Sequence, residues 1–174
     1  MSDFYRRFEG ANAPRDFDGV EVWAPEFSGD IDIVIDSSGR WLHEGTEIKR
    51  ASLIELFAKL LRKESDGHYY LVTPVEKWRI QVQQHALQVE SVRRDALPQG
   101  YRIDARANDG KTYPLSAAYP LEFEAGLDGA FVHLERGLTA KLSRNAWYHL
   151  CEWVEQEEGR VTLTSETVVF AYCV

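Results

Sequence analysis

The chain has 174 residues, 44% of them hydrophobic and 12% aromatic, with five tryptophans. That is enough apolar surface for a packed core and excludes disorder over most of its length. Twenty Lys and Arg against 28 Asp and Glu give a net charge of −8, and the basic residues fall in scattered pairs such as Lys49-Arg50, Arg62-Lys63 and Arg93-Arg94. A nucleic-acid polymer is therefore excluded as a partner, because its phosphates would be repelled; a small anionic ligand is not. No apolar run reaches the ~20 residues that span a bilayer. The start, Met1 to Arg7, lacks the apolar stretch of a signal peptide, so a cytoplasmic protein away from membranes is expected. Cys151 and Cys173 read as two buried free thiols in a reducing compartment.

Residues 1–29 read as an irregular lead-in, broken by Gly10, Pro14, Gly19, Pro25 and Gly29, with Trp23 and Phe27 packing on the body. A hairpin follows: Ile31 to Ile35, a turn at Asp36-Ser37-Ser38-Gly39, and Arg40 to His43. Ser52-Leu53-Ile54-Glu55 has the spacing of a capping box. Leu53, Leu56, Phe57, Leu60 and Leu61 then fall on one helical face, with Lys59, Arg62 and Lys63 suiting the helix C-terminus. Tyr69 to Thr73 and Trp78 to Val82 read as strands around Pro74. From about 85 to 135 alternation predicts an antiparallel meander with one wet face. A second helix is expected from about Ser143 to Glu157, with an apolar stripe of Trp147, Leu150, Cys151 and Val154. A last hairpin, Val161 to Thr164 and Val168 to Tyr172, finishes the chain.

The fold class expected is α+β, with an internal duplication of a hairpin–helix–hairpin unit. Gly67 to Val82 and Gly159 to Val174 are equal in length, laying Leu71 over Leu163, Thr73 over Ser165 and Glu76 over Val168. The domains expected are a lead-in at 1–29, a first repeat at 30–84 and a β-rich second repeat at 85–174. Two such units bury apolar faces on each other and leave a seam where a pocket fits.

The run from Gly39 to Arg50, then Leu53, Leu56 and Phe57, then Asp66 to Lys77, resembles the bacterial domain-of-unknown-function 1285 family. Its most specific motif is Tyr70-Leu71-Val72-Thr73-Pro74-Val75-Glu76-Lys77. Tyr119-Pro120-Leu121 and Phe131 to Leu138 extend the resemblance through the second half. The resemblance implies a duplicated α+β fold whose C-terminal half is superficially like a pleckstrin-homology barrel. It also implies a nucleotide-like ligand at the interface and a role in signal transduction. After Val82 the family continues with an acidic-then-Pro-Phe segment, whereas here it is Gln83-Gln84-His85-Ala86-Leu87, so the ligand can differ.

For chemistry, the five histidines lack paired spacings, and a metal would require His43 and His133 to meet across the seam. No nucleophile elbow or Gly-rich phosphate loop is present, and no cofactor or catalytic residue is assigned. Arg50 at a helix start is the best anion position, and the turn from Thr73 to Lys77 offers a hydroxyl, a carboxylate and an ammonium. With Tyr70 as a ring for stacking, the candidate ligand-binding residues are His43, Arg50, Tyr70, Thr73, Glu76, Lys77 and Arg136. The leading expectation is a non-catalytic sensing module for a small anionic or nucleotide-like ligand. The alternative is a protein-interaction adaptor using a strand edge or groove of the C-terminal half. An enzyme stands third, needing titratable groups clustered at the seam.

Overall fold

The structure, a computed structural model, describes residues 19–173. These form an α+β fold made mostly of strands, with two α-helices. The first sheet contains β1 (Phe27–Ile35), β2 (Trp41–His43), β3 (Thr46–Glu47), β4 (Leu61–Lys63), β5 (Tyr69–Val72) and β6 (Lys77–Val82), with α1 (Ala51–Leu60) between β3 and β4. The second contains β7 (Leu87–Ala96), β8 (Tyr101–Ala107), β9 (Thr112–Pro114), β10 (Leu121–Phe123), β11 (Ala130–His133) and β12 (Thr139–Leu142). After α2 (Arg144–Cys151), β13 (Glu155–Glu157), β14 (Arg160–Ser165) and β15 (Val168–Cys173) make a third sheet.

The strand orders are β3-β2-β1-β6-β5-β4 and β10-β11-β12-β7-β8-β9. In each, the chain starts in the middle, steps to one edge, restarts at the other edge and returns, so the first and last strands lie parallel: β1 with β6 and β7 with β12. The likeness in strand order thus lies between β1–β6 and β7–β12. It does not follow the expected register of Gly67 to Val82 over Gly159 to Val174: the first segment returns across a six-stranded sheet, and the described part of the second lies in the separate three-stranded one. Thr139–Leu142, between the expected meander and the expected second helix, is the strand that completes the second sheet, burying Ala140 and Leu142 by alternation.

Three local expectations are corrected. Helix α1 begins one residue before Ser52, so the capping box does not form: Arg50 is the N-cap, its side chain does not cap the helix, and Glu55 pairs with Lys59 at 2.7 Å. The helix stops at Leu60, because Leu61 turns into the sheet opposite Leu71; Arg62 and Lys63 are strand residues. Helix α2 is shorter than expected, capped by Ser143 Oγ accepting from the Ala146 N–H, because Glu155–Glu157 pairs with β14. With that, Cys151 comes out exposed rather than buried; the Cys173 side chain lies outside the described residues.

One apolar core runs through all three sheets, from Trp41, Phe57 and Leu71 through Val89, Ile103 and Val132 to Leu150 and Leu163. The turn after β1 is closed by Asp36, whose Oδ1 accepts from the Ser38 and Arg40 N–H groups at 2.9 Å. Burial disfavours the Asp36 charge, but these bonds and the Arg40 guanidinium outweigh it and bring its pKa down to about 2.

Candidate functional site

Pairing across the first sheet sets Arg62, Tyr70, Arg79 and Asp30 in one row on the face away from the core. Tyr70 Oη donates to Asp66 Oδ2 at 2.6 Å, and the Lys77 ammonium lies 5.0 Å over its ring. The Asp66 bond, with burial, pushes the phenol up to about 12. Lys77 reaches Glu64 at 3.1 Å, and Arg62 binds the other Glu64 oxygen. Burial opposes the Glu64 charge, yet Arg62 and Lys77 together hold its carboxyl below the usual range.

From Arg62 the polar chain continues toward the second sheet. Its Nη1 donates to the carbonyls of Val20 at 2.8 Å and Trp23 at 2.9 Å, fixing the segment before β1. The Glu21 carboxylate of that segment lies 3.9 Å from Arg136 Nε. Arg136 occupies the 3-10 turn Glu135–Gly137 between β11 and β12, with φ 60 and ψ 25. This left-handed conformation costs a non-glycine residue roughly 1–2 kcal/mol. Arg136 Nη1 donates to the Lys59 carbonyl at 2.6 Å, so a cation of the second sheet caps the negative end of α1. Its side chain is only 4% exposed, and the buried Nε–H has no hydrogen-bond acceptor among the described residues. Arg62 Nε is in the same state.

Gly137 brings the two sheets together. Its φ is +69, and a Cβ there would stand 3.3 Å from Lys63 Cβ and 3.4 Å from the Lys63 carbonyl. A second seam contact is the turn at Asp109 and Gly110, which abuts the Glu55 carboxylate. Asp109 is fully buried and accepts from Tyr113 Oη at 2.6 Å; burial first, then this carboxylate, push the Tyr113 phenol far above its ordinary value.

Of the residues expected from the sequence, Tyr70, Lys77 and Arg136 lie along this belt. Thr73 and Glu76 form the turn beside it. Thr73 Oγ1 accepts from the N–H groups of Val75 at 3.3 Å and Glu76 at 3.0 Å, and Glu76 Oε2 accepts from Trp78 Nε1 at 3.4 Å. Arg50 stands at the opposite end of the ten-residue α1, about 15 Å from the carbonyls that Arg136 caps. His43 is on β2, three strands from β5 and so roughly 14 Å away. His133 binds Glu122 at 2.8 Å, and no group of three metal-ligating side chains occurs among the described residues. The sequence reading missed Arg62, Glu64 and Asp66 as members of the site. The Asp66-to-Lys77 run contains one of them, and the helical pattern places Arg62 at the helix end rather than in β4.

Two more features adjoin this half. Strand β1 carries four steps from Asp30 to Val34 against two in β6 from Arg79 to Gln81. An open groove of about 670 Å³ lies beside this bulge, lined among others by Asp30, His68, Tyr69, Arg79 and Ile80. The connection at Gln83 to Ala86 is anchored on the second sheet: His85 Nδ1 meets Thr139 Oγ1 at 2.9 Å and the ring packs 4.6 Å from Phe131. Burial lowers the His85 pKa.

Residues 18–85 match the model of a domain of unknown function, DUF1285, N-terminal domain. The fold is similar to that of a DUF1285 family protein from Silicibacter pomeroyi DSS-3, with a TM-score of 0.81 and 28% identity over 92% of this chain and 89% of that one. It is similar also to a DUF1285 family protein from Shewanella baltica OS155, with a TM-score of 0.56 and 29% identity over 70% of this chain and 91% of that one. No curated protein matches the chain. Among the described residues no helix is long and apolar enough to cross a membrane.

Proposed function

The chain belongs to the DUF1285 family, and from that premise we propose that it is a non-catalytic sensing module taking a small anionic, nucleotide-like ligand at the seam between its first two sheets. The observation that carries the reading is Arg136: a buried guanidinium on a left-handed backbone, with an N–H that no described group accepts. A buried donor left unmet costs about 1–3 kcal/mol, and sites of strain and unmet polarity gather where ligands bind. A phosphate or carboxylate oxygen would meet that donor and exchange with the Glu21 carboxylate. Arg62 adds a second cation, and Tyr70 and Lys77 extend the belt.

The same reading takes β1–β6 and β7–β12 as copies of one unit, supported by their matching strand orders. It divides the chain into 1–29, 30–84 and 85–174, likens the last part to a pleckstrin-homology barrel, and sets the protein in cytoplasmic signal transduction. An adaptor for a protein partner is the second reading, favoured by the uncharged edge strand β15.

The test is thermal unfolding against nucleotides, pyrophosphate and coenzymes. A ligand at 100 times its Kd stabilises by about 2.7 kcal/mol, and each kcal/mol moves the midpoint of a chain this size by roughly 2–4 °C. The expected result is a rise of several degrees with one anionic class. Arg136→Gly, which keeps the backbone conformation, should abolish the rise, and Arg50→Ala, remote from the seam, should preserve it. A rise that survives Arg136→Gly would move the ligand elsewhere.

A further inference from the structure

Both cations of the seam reach the same short segment. Gly19 to Trp23 folds into a single turn, its Val22 and Trp23 N–H groups donating to the Gly19 carbonyl at 3.0 and 2.8 Å. Arg62 Nη1 donates to the carbonyls of Val20 at 2.8 Å, Glu21 at 3.4 Å and Trp23 at 2.9 Å. The Glu21 carboxylate stands 3.9 Å from Arg136 Nε, beyond hydrogen-bond distance. One turn thus presents oxygen atoms to two guanidiniums, and only the Glu21 carboxylate among them carries charge. It satisfies them incompletely: the buried Nε–H of each arginine has no acceptor among the described residues.

The segment is also separable from the body. It belongs to no sheet, and Ala24 to Glu26, outside any element, join it to β1. Val20 is buried yet stands apart from the core that links the three sheets, and Trp23 packs on the margin of that core. Lifting the turn therefore uncovers two side chains and leaves the strand pairing of β1 intact. Gly19 sets the closure. A Cβ there would stand 2.2 Å from Trp23 Nε1, so the indole folds back over the glycine where no side chain fits.

We propose that Gly19 to Trp23 is a strap closing the seam site, that its carbonyls and the Glu21 carboxylate stand in for the ligand, and that a diphosphate group displaces it. The inference rests on the seam as the anion site and adds how that site is gated. Two guanidinium forks match phosphate oxygens in geometry. A diphosphate supplies several such oxygens with more charge than the single carboxylate of the strap. Glu64 stays on Arg62 Nη2 throughout. The apparent affinity is then the intrinsic one scaled by the fraction of protein with the strap open.

Calorimetric titration of the full chain with pyrophosphate and, in parallel, ADP tests this, together with hydrogen exchange of the Val22 and Trp23 amides. Bound diphosphate should speed exchange at those two amides while Leu71 in β5 stays protected. Glu21→Gln removes the resident carboxylate, and Gly19→Ala unseats the indole with every charge kept. Each should tighten binding by ~5-fold or more. Equal affinity for both compounds would show that a free diphosphate suffices, and tighter ADP that a nucleoside is read with it; both support the strap. Binding that is lost in Arg136→Gly, yet leaves the two amides protected and is unchanged by Gly19→Ala, overturns the strap alone. Tightening by Glu21→Gln without Gly19→Ala does the same, since charge then explains it. Binding that survives Arg136→Gly, or no binding of either compound to any variant, overturns the seam reading and the strap with it.

Discussion

Two turns each bring one cation to the polar belt, and they are built in opposite ways. At Thr73 to Lys77 the polar groups are turned inward on the turn and its neighbours: the Thr73 hydroxyl accepts from Val75 and Glu76, Glu76 accepts from Trp78, and Lys77 binds Glu64. At Glu135–Gly137 the backbone is left-handed at two consecutive residues, and the arginine spans the seam with a donor unmet among the described residues. The contrast teaches that a polar, proline-containing turn is first a structural device. Strain and an unmet donor mark the turn with binding capacity in reserve.

Substitutions sharpen that contrast. Arg136→Ala should cost the most, about 3 kcal/mol. It deletes a charge-assisted bond to the end of α1 worth roughly 1.5–3 kcal/mol and the packing of a buried stem, keeps the strained backbone, and regains only part of this by removing the unmet Nε–H. Urea unfolding reads this, and a loss below ~1 kcal/mol would mean that the seam does not depend on the guanidinium. Gly137→Ala should follow at about 2 kcal/mol, because alanine is strained at φ +69 and crowds Lys63; an unchanged midpoint would contradict the close approach. At the quieter turn, Thr73→Ala should cost about 1 kcal/mol for its two accepted bonds. Lys77→Ala should cost under ~1 kcal/mol as a partly exposed ion pair. If Lys77 proved costlier than Arg136, the ranking of the two turns would be reversed.

The pH dependence offers a milder check from the first hairpin. Asp36 has a folded pKa of about 2, below the ~3.9 of an unfolded aspartate. Its contribution is therefore complete above about pH 4 and is lost as pH falls toward 2, amounting to about 1–2 kcal/mol. Asp36→Asn should flatten the stability profile in that window; an identical slope in both proteins would mean that the turn does not hold the carboxylate ionised.

The strands were readable where alternation and turn chemistry agreed. Ile31 to His43, Tyr69 to Val82, Tyr101 to Pro114 and the terminal hairpin all fall where turn residues separate β-branched and aromatic runs. The helix ends were not, because their stopping points are set by sheet pairing rather than by propensity: Leu61 joins Leu71, and Glu155 joins Thr162. A helix-period reading naturally ran through both. Strand β12 lies in four residues that include only two apolar ones, too short a run for alternation to mark. The candidate site was partly visible. Tyr70 and Lys77 came from one local motif, but nothing local links Arg62 to the carbonyls of Val20 and Trp23, or Arg136 to that of Lys59, 77 positions away in sequence. Such contacts are properties of the packed sheets.

The most direct measurement is the side-chain Nε–H signal of Arg136 in a ¹⁵N-edited NMR spectrum, assigned by its loss in Arg136→Gly and followed during titration with the anion that raises the thermal midpoint. A buried donor should give a slowly exchanging signal in the free protein, and ligand binding should shift it in step with the calorimetric saturation curve. An Arg136 signal that stays fixed while resonances elsewhere saturate would contradict the seam as the site of binding.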